Sequence, residues 1–218
     1  GRRVSFLRGN DLYVLEIDSA AVTRLTQDGS ENLRNGRLDW VYPEELGLGI
    51  AHWWSPDSKR LAYLQFDVSR QPLYPHADLS PFWPVAEPQR YPKAGQPNAE
   101  VRLGIVDAAG GRTRWMELGD PRQYLLARVN WAPAGDFLLV QRLNRVQDRL
   151  DLLRVNPATG QARVILAEQD RYWINIDDAL SFLKNGAEFI WTSERDGFRH
   201  LYRYSSEGKL LGRLTSGG

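Results

Sequence analysis

The chain has 218 residues, 42% of them apolar and 11% aromatic, with 28 Lys and Arg against 27 Asp and Glu. That length fits one large or two small domains, and the balanced charge leaves no electrostatic footprint for nucleic acid or an anionic membrane. Cysteine is absent, which excludes disulfides, thiolate metal sites and a Cys nucleophile. The apolar stretches are strand-sized, short of the roughly 20 residues of a membrane-spanning helix. The sequence opens at Gly1 without a leader and enters a strand pattern almost at once, so it reads as an excised piece of something longer.

Period-2 alternation of β-branched and aromatic residues recurs along the whole chain, and no stretch of helical period exceeds about two turns. The first strands are expected at Asp11–Ile17 and Val22–Thr26. Next comes Asp39-Trp40-Val41-Tyr42-Pro43-Glu44-Glu45, two carboxylates side by side before a Gly-rich bend. Adjacent anions repel, and burying them raises the pKa of at least one unless a cation arrives. The pair therefore reads as a site awaiting a positive group, such as the free amino group of a peptide.

Three further segments share one pattern of apolar strand, turn and second apolar strand. They are Gly49–Asp57 into Arg60–Leu64, Ala127–Gly135 into Phe137–Val140, and Ala179–Gly186 into Glu188–Trp191. Third and fourth strands follow each: Val101–Asp107 with Thr113–Met116, Arg149–Val155 with Ala162–Leu166, and His200–Tyr204 with Leu210–Thr215. Gly, Asn and Asp fill the connecting turns, as tight hairpins require. This repetition predicts an all-β chain, a β-propeller fragment of about four blades of four antiparallel strands, the first blade lacking its opening strand. A β-sandwich explains the strand count but not the repeated Trp/Phe-turn-strand phrasing. Open blade edges are sticky, so self-association is expected.

Residues 67–100, within the second blade, break the repeat and carry seven of the twelve prolines. Loops of that length tend to be functional or disordered. Tyr74, Phe82, Trp83 and Tyr91 give this one enough apolar surface to pack, either as a clasp over a blade edge or as a wall of a substrate path. Other candidates are weaker. No G-x-S-x-G elbow occurs. His52, His76 and His200 lack metal-ligand spacing, Asp177-Asp178 reads as a solvated turn, and the Trp residues read as core. No cofactor is indicated.

The Asp39–Glu45 run, then Trp53-Trp54-Ser55-Pro56, then Tyr91-Pro92-Lys93-Ala94-Gly95, and the closing Ser193–Tyr202 hairpin together resemble the N-terminal propeller of the dipeptidyl peptidase IV family of prolyl oligopeptidase-type serine peptidases. The resemblance covers nearly all of residues 1–218. It implies an eight-bladed propeller over a C-terminal α/β-hydrolase domain whose triad lies outside this chain, so that residues 1–218 are inactive alone. It implies that Glu44 and Glu45, on a short helical segment, bind the free amino terminus of peptide substrates, and that the intact enzyme releases X-Pro or X-Ala dipeptides. Pro43 stands where better-known members carry a third acid, which the first turn of a helix tolerates. The family's carbonyl-binding arginine lies upstream and has no counterpart here. Trp173–Asp178 diverges from the family's extended subsite, so no residue is assigned to it. A periplasmic or secreted location follows from the same resemblance. The alternatives are the propeller of a related oligopeptidase without dipeptide counting, and a non-catalytic protein-binding propeller.

Overall fold

The computed structural model describes residues 1–217. Strands dominate and are organised into sheets that succeed one another along the chain. The first sheet joins β1 (Arg3–Arg8), β2 (Asp11–Glu16) and β3 (Val22–Arg24). The second is built on the fully paired strand β6 (Arg60–Asp67). One edge of β6 takes two short strands, β4 (Leu33–Asn35) and β5 (His52–Trp54), and the other takes β11 (Glu100–Asp107) followed by β12 (Arg114–Trp115). The third runs β13 (Tyr124–Trp131), β14 (Leu138–Asn144), β15 (Arg149–Val155) and β16 (Ala162–Gln169). The fourth runs β17 (Ser181–Leu183), β18 (Glu188–Ser193), β19 (His200–Ser205) and β20 (Leu210–Arg213). All pairings are antiparallel, which hairpin connections permit.

The central strands are apolar on both faces because a neighbouring sheet covers each face. Leu61 through Phe66 of β6 are all buried, as are Leu138 through Gln141 of β14. Residues of the second, third and fourth sheets form one continuous core, while Leu12, Val14 and Leu25 of the first pack on Leu61, Tyr63 and Val106 of the second. Tryptophan indoles add directional ties between successive sheets. Trp54 Nε1 donates to Ser5 Oγ at 3.0 Å, Trp131 Nε1 to the Trp53 carbonyl at 3.2 Å, and Trp191 Nε1 to Glu168 Oε1 at 3.1 Å. An indole combines a large apolar body with one N–H that needs a partner when buried, which suits it to this seam. The expectation of a core role thus holds for Trp191 but not for Trp83 and Trp173, which are 76% and 53% exposed.

A buried polar knot joins the first two sheets. Asp11 accepts hydrogen bonds from Thr26 Oγ1 (2.7 Å), the Gly29 N–H (3.0 Å), Asn35 Nδ2 (3.1 Å) and Arg24 Nη2 (2.6 Å). Burial pushes the Asp11 carboxyl up, but these donors outweigh it and hold the group below the ordinary carboxylate range. A Cβ on Gly29 would lie 2.4 Å from the Asn10 carbonyl, so only glycine lets the loop approach this closely.

Two expected strands prove shorter. The strand expected ahead of the turn in Gly49–Asp57 is only His52–Trp54, because residues 36–51 leave the sheet between β4 and β5. In the fourth sheet, the strand and turn expected in Ala179–Gly186 are β17, begun two residues late, and a 3-10 turn at Lys184–Gly186. The Pro-rich segment also has structure: β7 (Leu73–Tyr74) pairs with β10 (Gln89–Arg90), and β8 (Ala77–Asp78) with β9 (Val85–Ala86). Among the described residues no helix is long and apolar enough to cross a membrane.

Burial lowers the pKa of His52, with the Gly36 backbone offsetting part of the effect. The unfolded value is about 6.5, so the stability contribution is complete above that pH and declines as pH falls through it toward the folded value. Denaturant titrations should therefore show lower stability at pH 5.5 than at 7.5, and His52→Gln should reduce that difference. An undiminished difference in the variant would contradict a buried, neutral His52.

Candidate functional site

The excursion between β4 and β5 carries helix α1, Val41–Leu46, and with it both candidate glutamates. Six residues make too few internal hydrogen bonds to hold a helix in water, so its place is set by packing. Val41, Tyr42 and Leu46 are buried, Tyr42 most deeply. Its ring meets Phe66 edge-on with centroids 4.8 Å apart, and its hydroxyl accepts the backbone N–H of Leu126, on β13 of the third sheet, at 3.0 Å. Burial drives the Tyr42 phenol far up, and it stays neutral.

Both ends of the helix are fixed. At the start, Asp39, one residue before the cap position held by Trp40, accepts the Tyr42 N–H of the first turn on Oδ1 at 3.1 Å, while Oδ2 accepts Gln71 Nε2 at 2.8 Å. Burial raises the Asp39 carboxyl pKa, and the Gln71 and backbone bonds and the Arg34 charge counter only part of this. At the other end, Gly47 turns the chain with φ +60°, the left-handed conformation favoured by glycine. Arg128 Nη1 donates to the Leu46 carbonyl at 2.8 Å and pairs through Nε with Asp178.

Gln71 stands at the root of the Pro-rich segment, which grips the same helix from a second side. Arg90 Nη1 donates to the Gln71 carbonyl at 2.6 Å and Nη2 to Asn32 Oδ1 at 2.7 Å. Tyr91 meets Trp40, just before the helix, with ring centroids 4.4 Å apart. The hairpin tip points away from this anchorage, with Phe82 89% exposed.

These contacts leave Glu44 and Glu45 side by side and exposed. Among the described residues, neither takes part in a side-chain hydrogen bond or a salt bridge. Glu45 lines an open cleft of about 920 Å³ whose other walls are the aromatic face of Trp40 and Tyr91 and the Lys93–Gln96 turn. Glu44 does not line it, being on the neighbouring position of the helix. The structure thus brings together two sequence elements: the helix with the Glu pair, and the Pro-rich segment with its Tyr91–Gly95 element. A pair of unmatched carboxylates on a pinned helix beside a cleft can receive a cation with several N–H donors.

Of the other sequence candidates, His52, His200 and Asp177 lie away from this cleft and His76 lies on it. His52 is half-buried in the second sheet, and His200 is buried in the fourth with Nδ1 3.1 Å from Thr215 Oγ1. His76 lines the cleft beside Tyr74. Asp177 is not a solvated turn residue. It is buried, accepting Thr192 N–H at 2.9 Å and Thr192 Oγ1 at 2.6 Å, and only Asp178 reaches solvent. Among the described residues no group of three or more His, Asp or Glu converges as a metal site.

The successive antiparallel sheets with shared cores define a β-propeller domain, and α1 is an excursion between two short strands of its second sheet. The sequence family described as "Dipeptidyl peptidase IV (DPP IV) N-terminal region" matches residues 1–218, and the chain belongs to it. A "Probable dipeptidyl peptidase 4" of Aspergillus flavus is 32% identical over 235 residues, covering all of this chain and 30% of that protein. A dipeptidyl peptidase 4 of Trichophyton tonsurans is 30% identical over 229 residues, covering 98% of this chain and 29% of its own. The crystal structure of Porphyromonas gingivalis dipeptidyl peptidase 4 superposes with a TM-score of 0.90 at 32% identity, covering 100% of this chain and 31% of that one. The chain spans about 30% of the length of the curated relatives it matches.

Removing the Tyr42 hydroxyl leaves the buried Leu126 N–H unpaired. Tyr42→Phe should therefore lower unfolding stability by about 1–3 kcal/mol, read from denaturant midpoints. Asp39→Asn should be far milder than Asp39→Ala, because asparagine can accept the same Tyr42 N–H and removes a buried charge. Equal losses in the two Asp39 variants would contradict the role of Asp39 at the helix start.

Proposed function

We propose that this chain is the substrate-selecting propeller region of a serine dipeptidyl aminopeptidase, in which Glu44 and Glu45 bind the α-amine of peptide substrates. The observation that carries the reading is the unmatched carboxylate pair on a helix pinned at both ends, with Glu45 on the wall of a cleft. The names of the family relatives support the same activity for the whole protein.

The chemistry is direct. A peptide α-amine has a pKa of about 7.7–8.0 and is largely protonated at neutral pH, presenting three N–H donors. Two carboxylates take two of them as charge-assisted hydrogen bonds. Fixing the amine fixes the reach of the peptide, since two extended residues span about 7 Å. A nucleophile held at that distance cuts after the second residue and releases dipeptides; Pro or Ala at that second position is what the family resemblance implies. Blocked or internal segments are rejected because they leave the carboxylates desolvated and unpaired. The acyl transfer itself belongs to a Ser-His-Asp triad on an α/β-hydrolase domain outside residues 1–218.

Glu44→Gln and Glu45→Gln keep side-chain shape while each removes one charge. In the full-length enzyme each should lower kcat/KM on a free dipeptidyl substrate by roughly 30- to 1000-fold. The double variant should lose less than the product of the two, because both residues hold one ammonium. Wild-type kcat/KM in both single variants would refute the anchor.

Purified residues 1–218 should give no turnover of Gly-Pro-anilide, and sustained turnover free of contaminating hydrolase would contradict the domain assignment. The same fragment should self-associate in light scattering, since sheets made to sit in a larger ring leave edges unpaired. A strictly monomeric fragment at high concentration would contradict that expectation.

A further inference from the structure

The cleft beside Glu45 carries two cations that the amine anchor does not use. Lys93 lies on its wall, with Nζ 5.0 Å from the Tyr74 ring centroid, and Arg145 approaches from the β14–β15 hairpin. Among the described residues neither is paired with a carboxylate. Both are tied to the same turn, Lys93 through its backbone and Arg145 through its guanidinium. The Lys93 N–H donates to Gln96 Oε1 at 2.8 Å, the Gln96 N–H to the Lys93 carbonyl at 3.0 Å, and Arg145 Nη2 to the Gln96 carbonyl. Glu45 is the only carboxylate among the residues lining this cleft.

We infer that this cleft selects acidic side chains at the first residue of the substrate, through Lys93 and Arg145. The inference rests on the amine-anchor reading above. A substrate ammonium bound at Glu44 and Glu45 neutralises the one negative wall and leaves the two cations unmatched. The first residue's side chain leaves from the carbon that bears the anchored amine, so it is the substrate group nearest to Glu45 and to this space. A cleft of about 920 Å³ is at the upper end of small-ligand sites and far larger than one side chain. Discrimination there must therefore come from charge rather than size. Basic side chains are disfavoured twice: by repulsion from the two cations, and because Lys93 already occupies the face of Tyr74 where a cation would otherwise stack.

The test compares Glu-Pro, Gln-Pro and Lys-Pro anilides on the full-length enzyme, since Glu and Gln differ in charge and hardly in shape. Exposed ion pairs are modest, so kcat/KM for Glu-Pro should exceed that for Gln-Pro by roughly 3- to 10-fold at low ionic strength, with Lys-Pro lowest. The ratio should shrink in high salt, which screens exposed charges. Lys93→Gln and Arg145→Gln should each move the Glu/Gln ratio toward one. A wild-type ratio of one or below at low salt overturns the inference, and this arm needs no variant to fold. The N-acetylated Glu-Pro substrate reports the anchor separately. Rejection of the acetylated form with a Glu/Gln ratio of one overturns the acidic preference alone. Equal cleavage of free and acetylated forms overturns the anchor and this inference with it.

Discussion

The contact between the Tyr42 hydroxyl and the Leu126 N–H decides where the glutamates stand. A helix of six residues has almost no stability of its own, and α1 is an excursion from an edge strand rather than part of a sheet. Without an anchor it would sample many orientations, and two exposed carboxylates would repel each other apart. Tyr42 reaches across to the third sheet while its ring packs on Phe66 of the second, so the helix is fixed relative to both. Asp39 at one end and Arg128 at the other remove the remaining freedom. A carboxylate pair held this way binds a cation with little loss of side-chain and loop entropy, the advantage of preorganisation.

That anchorage is only as firm as the sheets beneath it. Their stiffness comes from faces packed on both sides and from indole N–H groups that bridge neighbours in sequence. The Pro-rich segment contributes at its root rather than at its tip. Gln71, Arg90 and Tyr91 clasp the helix, while the distal hairpin exposes Phe82 and Trp83. The root of this segment holds α1 rather than covering a blade edge, and the same residues continue into the turn that forms the far side of the cleft.

Much of the fold was legible because strand alternation and turn residues are local signals. The paired strands of the third sheet needed no long-range information, whereas the short helix at Val41–Leu46 was implied by the family resemblance and by no local periodicity. What escaped depends on partners distant in sequence. Gln71 looked like an ordinary polar residue at the edge of a proline-rich loop, and nothing local says that it faces Asp39. Arg145 sits in a hairpin with no motif around it, and its place on the cleft arises only when that hairpin folds against the Lys93 turn. Asp177 misled because adjacent acids usually mark solvent, whereas here Thr192 supplies two donors that make burial tolerable.

The most direct measurement is the position of a bound substrate amine. A structure of the full-length enzyme with an unhydrolysed peptide should place the amino nitrogen within hydrogen-bonding distance, about 2.7–3.2 Å, of carboxylate oxygens of both Glu44 and Glu45. It should show α1 unmoved, with Tyr42 still accepting from Leu126. An amine bound elsewhere, with the two glutamates still solvated, would contradict the account.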